Sequence, residues 1–244
     1  MHATTVGLAD LALLAEEEHD EPLAGQEHSL TIQNLHYPLY AHLRGPACFV
    51  ASELRVYRDP HNLNDWREPD VLVALGVPDR VRPGYALWLE GKAPDLVLEV
   101  LSPDSVRNRD LTAKRDWYGR EGVREYVVVD PAGAFAPEPR LQAWRLGDLA
   151  APESGGSEYV LADEDGILRS RVAPVGWVAR GEWVRVVDLA TGDLLPTLWE
   201  LEPRLREEIA ARQEAQERAG RAEARVRELE AELEQLRRQH EGHE

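Results

Sequence analysis

Residues 93–103, APDLVLEVLSP, form the most strongly β segment of the sequence. A short apolar run closed by Ser-Pro is typical of a buried strand. Downstream, residues 109–121 predict a helix that Gly122 ends, and EYVVVDP (125–131) predicts a second strand buried on both faces. A strand, a helix and a strand in this order predict a right-handed parallel crossover. We therefore expect the 93–103 strand to lie at the centre of a sheet.

The flanking segments extend this sheet in both directions. Strands are predicted on either side of the crossover, at CFVASELRVY (48–57), DVLVAL (70–75), ALWLE (86–90), LQAWRL (141–146) and EYVLADE (158–164). WVRVVDLATGDLL (183–195) predicts a last hairpin or strand with a Thr-Gly-Asp turn. The first two are expected to pair antiparallel. Residues 27–43 have helical apolar spacing, and we expect Pro38 to break that helix. The fold class is therefore α/β (α+β), a mixed β-sheet flanked by helices.

Length and composition indicate one domain with appendages. With 244 residues, the chain accommodates an acidic N-terminal arm (1–26), one core domain (27–200) and a helical tail (201–244). An apolar fraction of 43%, a charged fraction of 30% and a mean hydropathy of −0.45 exclude an integral membrane protein. The start has no Lys or Arg and so lacks the basic region of a secretory signal, which predicts a cytoplasmic protein. The single cysteine, Cys48, is expected to be buried.

The tail has the pattern of a coiled coil. Beyond Pro203 the composition is almost purely Arg, Glu, Ala, Gln and Leu, and heptad spacing aligns Val226, Leu229, Leu233 and Leu236 on one seam. An isolated helix this polar gains little from packing, which favours self-association as a homodimer or higher oligomer over a single solvated helix.

The two lysines stand out in an acidic chain whose other Lys or Arg positions all hold arginine. The net charge is −17, so any contact with nucleic acid must be local, because bulk binding depends on basic residues that neutralise phosphates. Lys92 and Lys114 are the only lysines, and the other basic residues are arginines. Lys92 is expected in a solvated turn. Lys114 is either a surface lysine paired with Asp110 or an ammonium that stabilises charge in a reaction.

Glu99 lies in the apolar strand and requires a partner. Burying a carboxylate is costly unless a cation or several donors meet it, and a metal is the simplest candidate. A buried ion pair with an arginine, or a position at the strand end in water, is the alternative. Asp70 opens another strand after Pro69. It is either a turn or capping residue or, if its strand lies beside that of Glu99, a second carboxylate for a hard cation such as Mg²⁺. His28 and His36 are interpreted as structural or solvated.

The segments PDVLVALG, WLEGKAPDLVLEVLSPDS and RDLTAKRDWYGREGVREYVVVDP, within residues 50–135, resemble the Uma2 family of the PD-(D/E)xK nuclease superfamily. The resemblance implies a restriction endonuclease-like fold in which Asp70, Glu99 and the carbonyl of Val100 bind Mg²⁺ or Mn²⁺. It gives Lys114 the role of the lysine that usually stands two residues after the second acid, where this chain has Leu101. Glu27 corresponds loosely to an accessory acid.

The function that follows from this resemblance is metal-dependent endonucleolytic cleavage of DNA. The rival hypothesis is a catalytically silent binding or assembly module that oligomerises through the coiled coil. A third hypothesis is a metal-dependent hydrolase of another acidic substrate, and the sequence does not distinguish it from the DNA endonuclease.

Overall fold

The structure is a computed structural model that describes residues 25–102, 111–131, 133, 140–146 and 157–241, with the side chains of 234–237 and 239–241 excepted. The predicted arm, 1–26, lies outside the described residues except for its last two. The chain divides into two compact units, residues 1–197 and residues 198–244.

A six-stranded mixed sheet forms the centre of the first unit. Its strands stand in the order β1-β4-β6-β7-β8-β9, with bounds β1 Cys48–Ser52, β4 Val71–Leu75, β6 Leu96–Val100, β7 Glu125–Val129, β8 Leu141–Arg145 and β9 Glu158–Leu161. Strands β6 and β7 pair parallel, and the other neighbours pair antiparallel. The mixed sheet and the inner position of the 93–103 strand are therefore as predicted.

Two small sheets contain the other strands found among the described residues of this unit. One has the order β3-β2-β5, with β2 at Val56–Tyr57, β3 at Trp66–Arg67 and β5 at Tyr85–Ala86. The other has the order β10-β11-β12, with β10 at Ile167–Arg169, β11 at Val175–Arg180 and β12 at Trp183–Asp188.

Four helices occur in the described part of the chain: α1 Gln26–Leu43, α2 Leu87–Glu90, α3 Leu111–Arg120 and α4 Leu198–Glu241. Ile32, Leu35 and Leu39 of α1 share one core cluster with β10–β12 and one face of the central sheet. Trp117 and Tyr118 of α3 belong to the cluster on the opposite face. Helices therefore flank the sheet, as expected from the sequence. Within the described residues, no helix is long and apolar enough to span a membrane.

The expected break of α1 at Pro38 is wrong. The helix runs unbroken through Pro38, which is buried with its neighbours. Proline removes one helical hydrogen bond, the one that would reach the carbonyl of Asn34. The burial of Leu35 and Leu39, both fully inaccessible to solvent, supplies the compensating stabilisation.

Two predicted strands also differ. Residues 48–57 divide into β1 and β2 because Glu53 adopts a left-handed backbone conformation, with φ of 49°, which turns the chain. The ALWLE segment is the end of β5 followed by the helical turn α2, which Gly91 closes with φ of 74°. The glycine signal at the end of this turn is typical of a helix C-terminus.

Candidate functional site

The pairing of β4 with β6 brings Asp70 to the end of the strand that carries Glu99. Val71, the first residue of β4, pairs with Leu98 in the antiparallel register. Asp70, just before β4, therefore lies beside Glu99, the next residue on β6. The Oδ2 atom of Asp70 accepts a hydrogen bond of 2.5 Å from the backbone N–H of Val100. This hydrogen bond fixes Asp70, at the start of β4, to the end of β6.

Helix α3 supplies two donors to Glu99. The Nζ atom of Lys114 donates to Oε2 of Glu99 at 2.8 Å, and the hydroxyl of Tyr118 donates to Oε1 at 3.1 Å. These two residues stand four apart on one helix face, and the crossover between β6 and β7 carries that face over Glu99. The structure thus brings Asp70, Glu99, Val100 and Lys114 together from three elements.

Glu99 is an unusually basic carboxyl group. Its residue is 4% exposed, and burial raises its pKa to about 7, with the negative charge of Asp70 acting in the same direction and Lys114 and Tyr118 opposing it. Burial, followed by the charge of Glu99, likewise raises the pKa of Tyr118. A cation placed between the two acids would favour the ionised form of Glu99, because opposite charges lower a carboxyl pKa.

The donor set fits a hard divalent cation. Two carboxylates and the carbonyl of Val100 are the kind of oxygen ligands that Mg²⁺ and Mn²⁺ take. In the part of the chain that the structure describes, no three His, Cys, Asp or Glu side chains already form a metal-binding group. A bound ion would therefore depend on two side chains, a carbonyl and water, which suits Mg²⁺ because it retains several of its waters.

His28, on the first turn of α1, joins this cluster. Its Nε2 atom lies 3.1 Å from the carbonyl oxygen of Val100 and 3.6 Å from Oδ2 of Asp70. Burial lowers the pKa of His28, but hydrogen bonding to Asp70, the charge of Asp70 and the carbonyl of Val100 together outweigh it and raise the pKa. Its Nδ1 atom is buried without a hydrogen-bond partner among the described residues. The imidazole thus contacts both groups that flank Glu99.

The sequence indicated only a structural or solvated role for His28, because helical periodicity does not show which residues of the sheet a side chain contacts. The available signal was its place on the first turn of a helix beside Glu27, the residue proposed as accessory acid. Glu27 itself is exposed. His36 lies elsewhere on α1, packs against Tyr40 with ring centroids 6.1 Å apart, and has its pKa lowered by burial. Of the two histidines, only His28 contacts the cluster.

The remaining candidates occupy other positions. Leu101, at the position where the superfamily pattern has lysine, is buried in the core on the α3 side of the sheet. Lys92 is not simply a solvated turn residue, because its Nζ atom donates to Leu75 O and to Oδ2 of buried Asp95, both at 2.7 Å. Each lysine of the chain therefore pairs with a carboxylate of the β6 segment, Lys92 near its start and Lys114 near its end. Asp110, the alternative partner of Lys114, lies outside the described residues.

Comparisons with known proteins identify a nuclease-like family. The sequence profile of the family described as Uma2, "Putative restriction endonuclease", matches residues 11–179, which is more than half of the chain. No curated protein matches. Four solved chains match, and one is described as a "putative nuclease belonging to DUF820" from Anabaena variabilis ATCC 29413. It is 18% identical over 62% of this chain and 74% of that chain, with a TM-score of 0.43.

Proposed function

Because the chain belongs to the Uma2 family of restriction endonuclease-like proteins, we propose that it is a divalent-metal-dependent endonuclease that hydrolyses DNA phosphodiester bonds. One observation carries the proposal. The Lys114 ammonium reaches the buried Glu99 carboxylate from α3, at a strand end where Asp70 is already bonded to the next residue. Two acids and an ammonium at one strand end are the groups that metal-assisted phosphodiester hydrolysis requires.

Asp70, Glu99 and the carbonyl of Val100 would hold Mg²⁺ or Mn²⁺. The bound ion supplies a Lewis acid for the phosphate and lowers the pKa of water. Glu99 contributes a carboxyl whose pKa of about 7 allows it to bind either a proton or a cation at neutral pH. Tyr118 fixes the orientation of that carboxyl through Oε1.

Lys114 is the proposed stabiliser of the transition state. Its ammonium lies 2.8 Å from Glu99, and as a three-donor point charge on a flexible stem it can also hydrogen-bond a phosphate oxygen. Removing one such donor at a reacting centre costs about 10²–10³-fold in rate. His28, through its contacts to Val100 O and Asp70, is the proposed positioning residue for the ligands.

The test compares Lys114, which pairs with Glu99 of β6, with Lys92, which pairs with Asp95 just before β6. Purified full chain is incubated with supercoiled plasmid and with single-stranded DNA, in Mg²⁺ or Mn²⁺. We expect cleavage by the wild type and by the matched control Lys92→Ala, and loss of cleavage by about 100-fold or more in Lys114→Ala and Glu99→Ala. Circular dichroism checks that each variant is folded. Equal traces of cleavage in all four proteins would identify a contaminating nuclease and refute the proposal.

A catalytically silent binding module is the second candidate, favoured by one specific observation. Both oxygens of Glu99 accept hydrogen bonds from within the chain, and the Val100 N–H and carbonyl are both engaged, so the proposed ligands Glu99 and Val100 already have partners within the chain. A module of this kind would neither cleave DNA nor bind Mn²⁺. Titration calorimetry with Mn²⁺ separates the two candidates. If the wild type binds Mn²⁺ and Asp70→Asn does not, the result supports the metal-dependent enzyme.

A further inference from the structure

The long C-terminal helix carries apolar side chains that nothing in its own unit covers. α4 spans 44 residues, and Leu205, Val226, Leu229 and Leu233 are each more than 40% exposed. Monomeric proteins seldom leave aliphatic side chains exposed in a regular row, and such a row is typical of an interaction surface.

These four residues follow one heptad register, in which the exposed Ile209 falls at position e beside the seam. Position a is occupied by Leu205, Arg212, Ala219, Val226 and Leu233, and position d by Glu208, Ala215, Ala222, Leu229 and, by sequence, Leu236. The C-terminal half of the helix thus has an apolar seam. In parallel coiled coils, a β-branched residue at a with Leu at d favours two strands, and Val226 with Leu229 has this combination.

The charges beside the seam favour one orientation. In a parallel, in-register pair, each g residue faces the e residue five positions later on the partner helix. The facing combinations here are Arg218 with Glu223, Arg225 with Glu230 and, by sequence, Glu232 with Arg237. All three are of opposite sign, and two-fold symmetry repeats each of them.

An antiparallel pair would lose this complementarity. It brings g against g and e against e, where two of the three g residues are arginines and two of the three e residues are glutamates. Like charges would meet in most alignments, which is destabilising. Within the helix, Arg218 also contacts Glu214 at 2.6 Å, and Arg225 contacts Glu228 at 3.0 Å. These exposed contacts are weak and can exchange for pairs across an interface.

From the exposed seam and its flanking charges, we propose that α4 pairs parallel and in register with α4 of a second copy of this chain. The occupant of the seam is an identical helix, because the charge pattern complements itself in this register. This pairing does not require nuclease activity.

The first experiment measures the mass of the full chain by sedimentation equilibrium over a range of concentrations. We expect a dimer. The variants Arg218→Glu/Arg225→Glu and Glu223→Arg/Glu230→Arg should each associate about tenfold or more weakly, because two of the three facing pairs become repulsive. An equimolar mixture should associate as the wild type does. The matched control, Arg221→Glu/Arg227→Glu, changes the same charge at positions c and b and should leave the association unaltered.

The second experiment determines orientation by disulfide formation. In a parallel, in-register pair, Ala215→Cys and Leu233→Cys each place one cysteine beside its own copy, and both should cross-link under mild oxidation in a Cys48→Ser background. A wild-type chain that stays monomeric at every concentration would overturn the proposal. So would cross-linking of Ala215→Cys only to Leu233→Cys, or charge-reversal variants that associate as tightly as the wild type.

Discussion

At the scale of single residues, Asp70 has the widest electrostatic influence in the candidate site. Its charge raises the pKa of Glu99 on the neighbouring strand and of His28 on α1. Its Oδ2 atom also accepts the Val100 N–H. The negative charge of Asp70 favours the protonated forms of both the buried Glu99 carboxyl and the partly buried His28 imidazole.

We therefore predict that Asp70→Asn lowers the pKa of His28. Burial alone depresses the pKa of an imidazole, and in the wild type the hydrogen bond and charge of Asp70 reverse that effect. NMR titration of the histidine rings measures the change. His36, whose pKa burial already lowers without a contribution from Asp70, is the internal control and should not move. An unchanged pKa for His28 would show that Asp70 and the imidazole do not interact in solution.

Stability should couple to pH and to metal through Glu99. The pKa of this carboxyl is raised from 4.5 to about 7 on folding, so the folded chain retains a proton that the unfolded chain releases. Its stabilising contribution is present below about pH 4.5 and is lost as the pH rises through 7. A divalent cation competes with that proton, since its ligands must be deprotonated.

We thus predict that Mn²⁺ stabilises the protein against urea more at pH 8 than at pH 5, by about 1–3 kcal/mol. Urea unfolding with and without Mn²⁺ at both pH values gives the difference. Glu99→Ala should show no such difference, whereas Lys92→Ala should behave as the wild type. Equal stabilisation at both pH values, or the same effect in Glu99→Ala, would argue against a metal bound by Glu99.

At the scale of elements, a buried acid fastens the small β10–β12 sheet to the central sheet. Glu125 of β7 is 1% exposed and accepts hydrogen bonds from the Ser170 hydroxyl and the Arg171 N–H. The Ser170 oxygen in turn accepts from the N–H groups of Val172 and Ala173. The tight turn between β10 and β11 therefore depends on one hydroxyl.

Ser170→Ala should lower the free energy of unfolding by about 1–3 kcal/mol, because it leaves a buried carboxylate and two N–H groups without this partner. Urea unfolding measures the loss, and Ser157→Ala, at an exposed position, serves as the reference. A loss no greater than that of Ser157→Ala would mean that water replaces the hydroxyl.

The central elements could be predicted because their signals are local. The apolar runs at β6 and β7 and the helix-ending Gly122 are sufficient to define the crossover, which in turn carries Lys114 to Glu99. The division at Glu53 was not predictable, since a left-handed glutamate has no sequence signature. The continuity of α1 through Pro38 depends on tertiary burial that outweighs a local preference.

The residues of the candidate site also differ in whether a local sequence signal could reveal them. Glu99 could be singled out because a carboxylate in an apolar strand is costly, and its environment raises its pKa as that cost implies. His28 could not, because its contacts to Val100 and Asp70 join residues far apart in the sequence. Long-range contacts of this kind become visible only when α1 is packed against the sheet.

At the scale of the whole molecule, charge limits how a DNA substrate could be held. The chain carries a net charge of −17, and DNA is a dense polyanion, so extended contacts would be repulsive. Each phosphate that a protein neutralises adds about −0.9 to the slope of the log association constant against log salt concentration. Many phosphate contacts therefore make affinity depend steeply on salt. A protein that contacts DNA only at the Glu99 end of β6, through Lys114 and a bound metal, would neutralise few phosphates.

We predict that the full chain binds duplex DNA weakly, and that log Kd rises with log salt concentration with a slope of about 3 or less. Fluorescence anisotropy of a labelled duplex at several salt concentrations, with Glu99→Gln used to prevent cleavage, measures both quantities. Lys114→Ala in the same background should reduce the slope by about one, since it removes one phosphate contact, whereas Lys92→Ala should not. A slope of 6 or more would indicate an extended basic surface and contradict binding at the Glu99 site alone. Undetectable binding even at low salt, with Mn²⁺ present, would instead favour a substrate other than DNA.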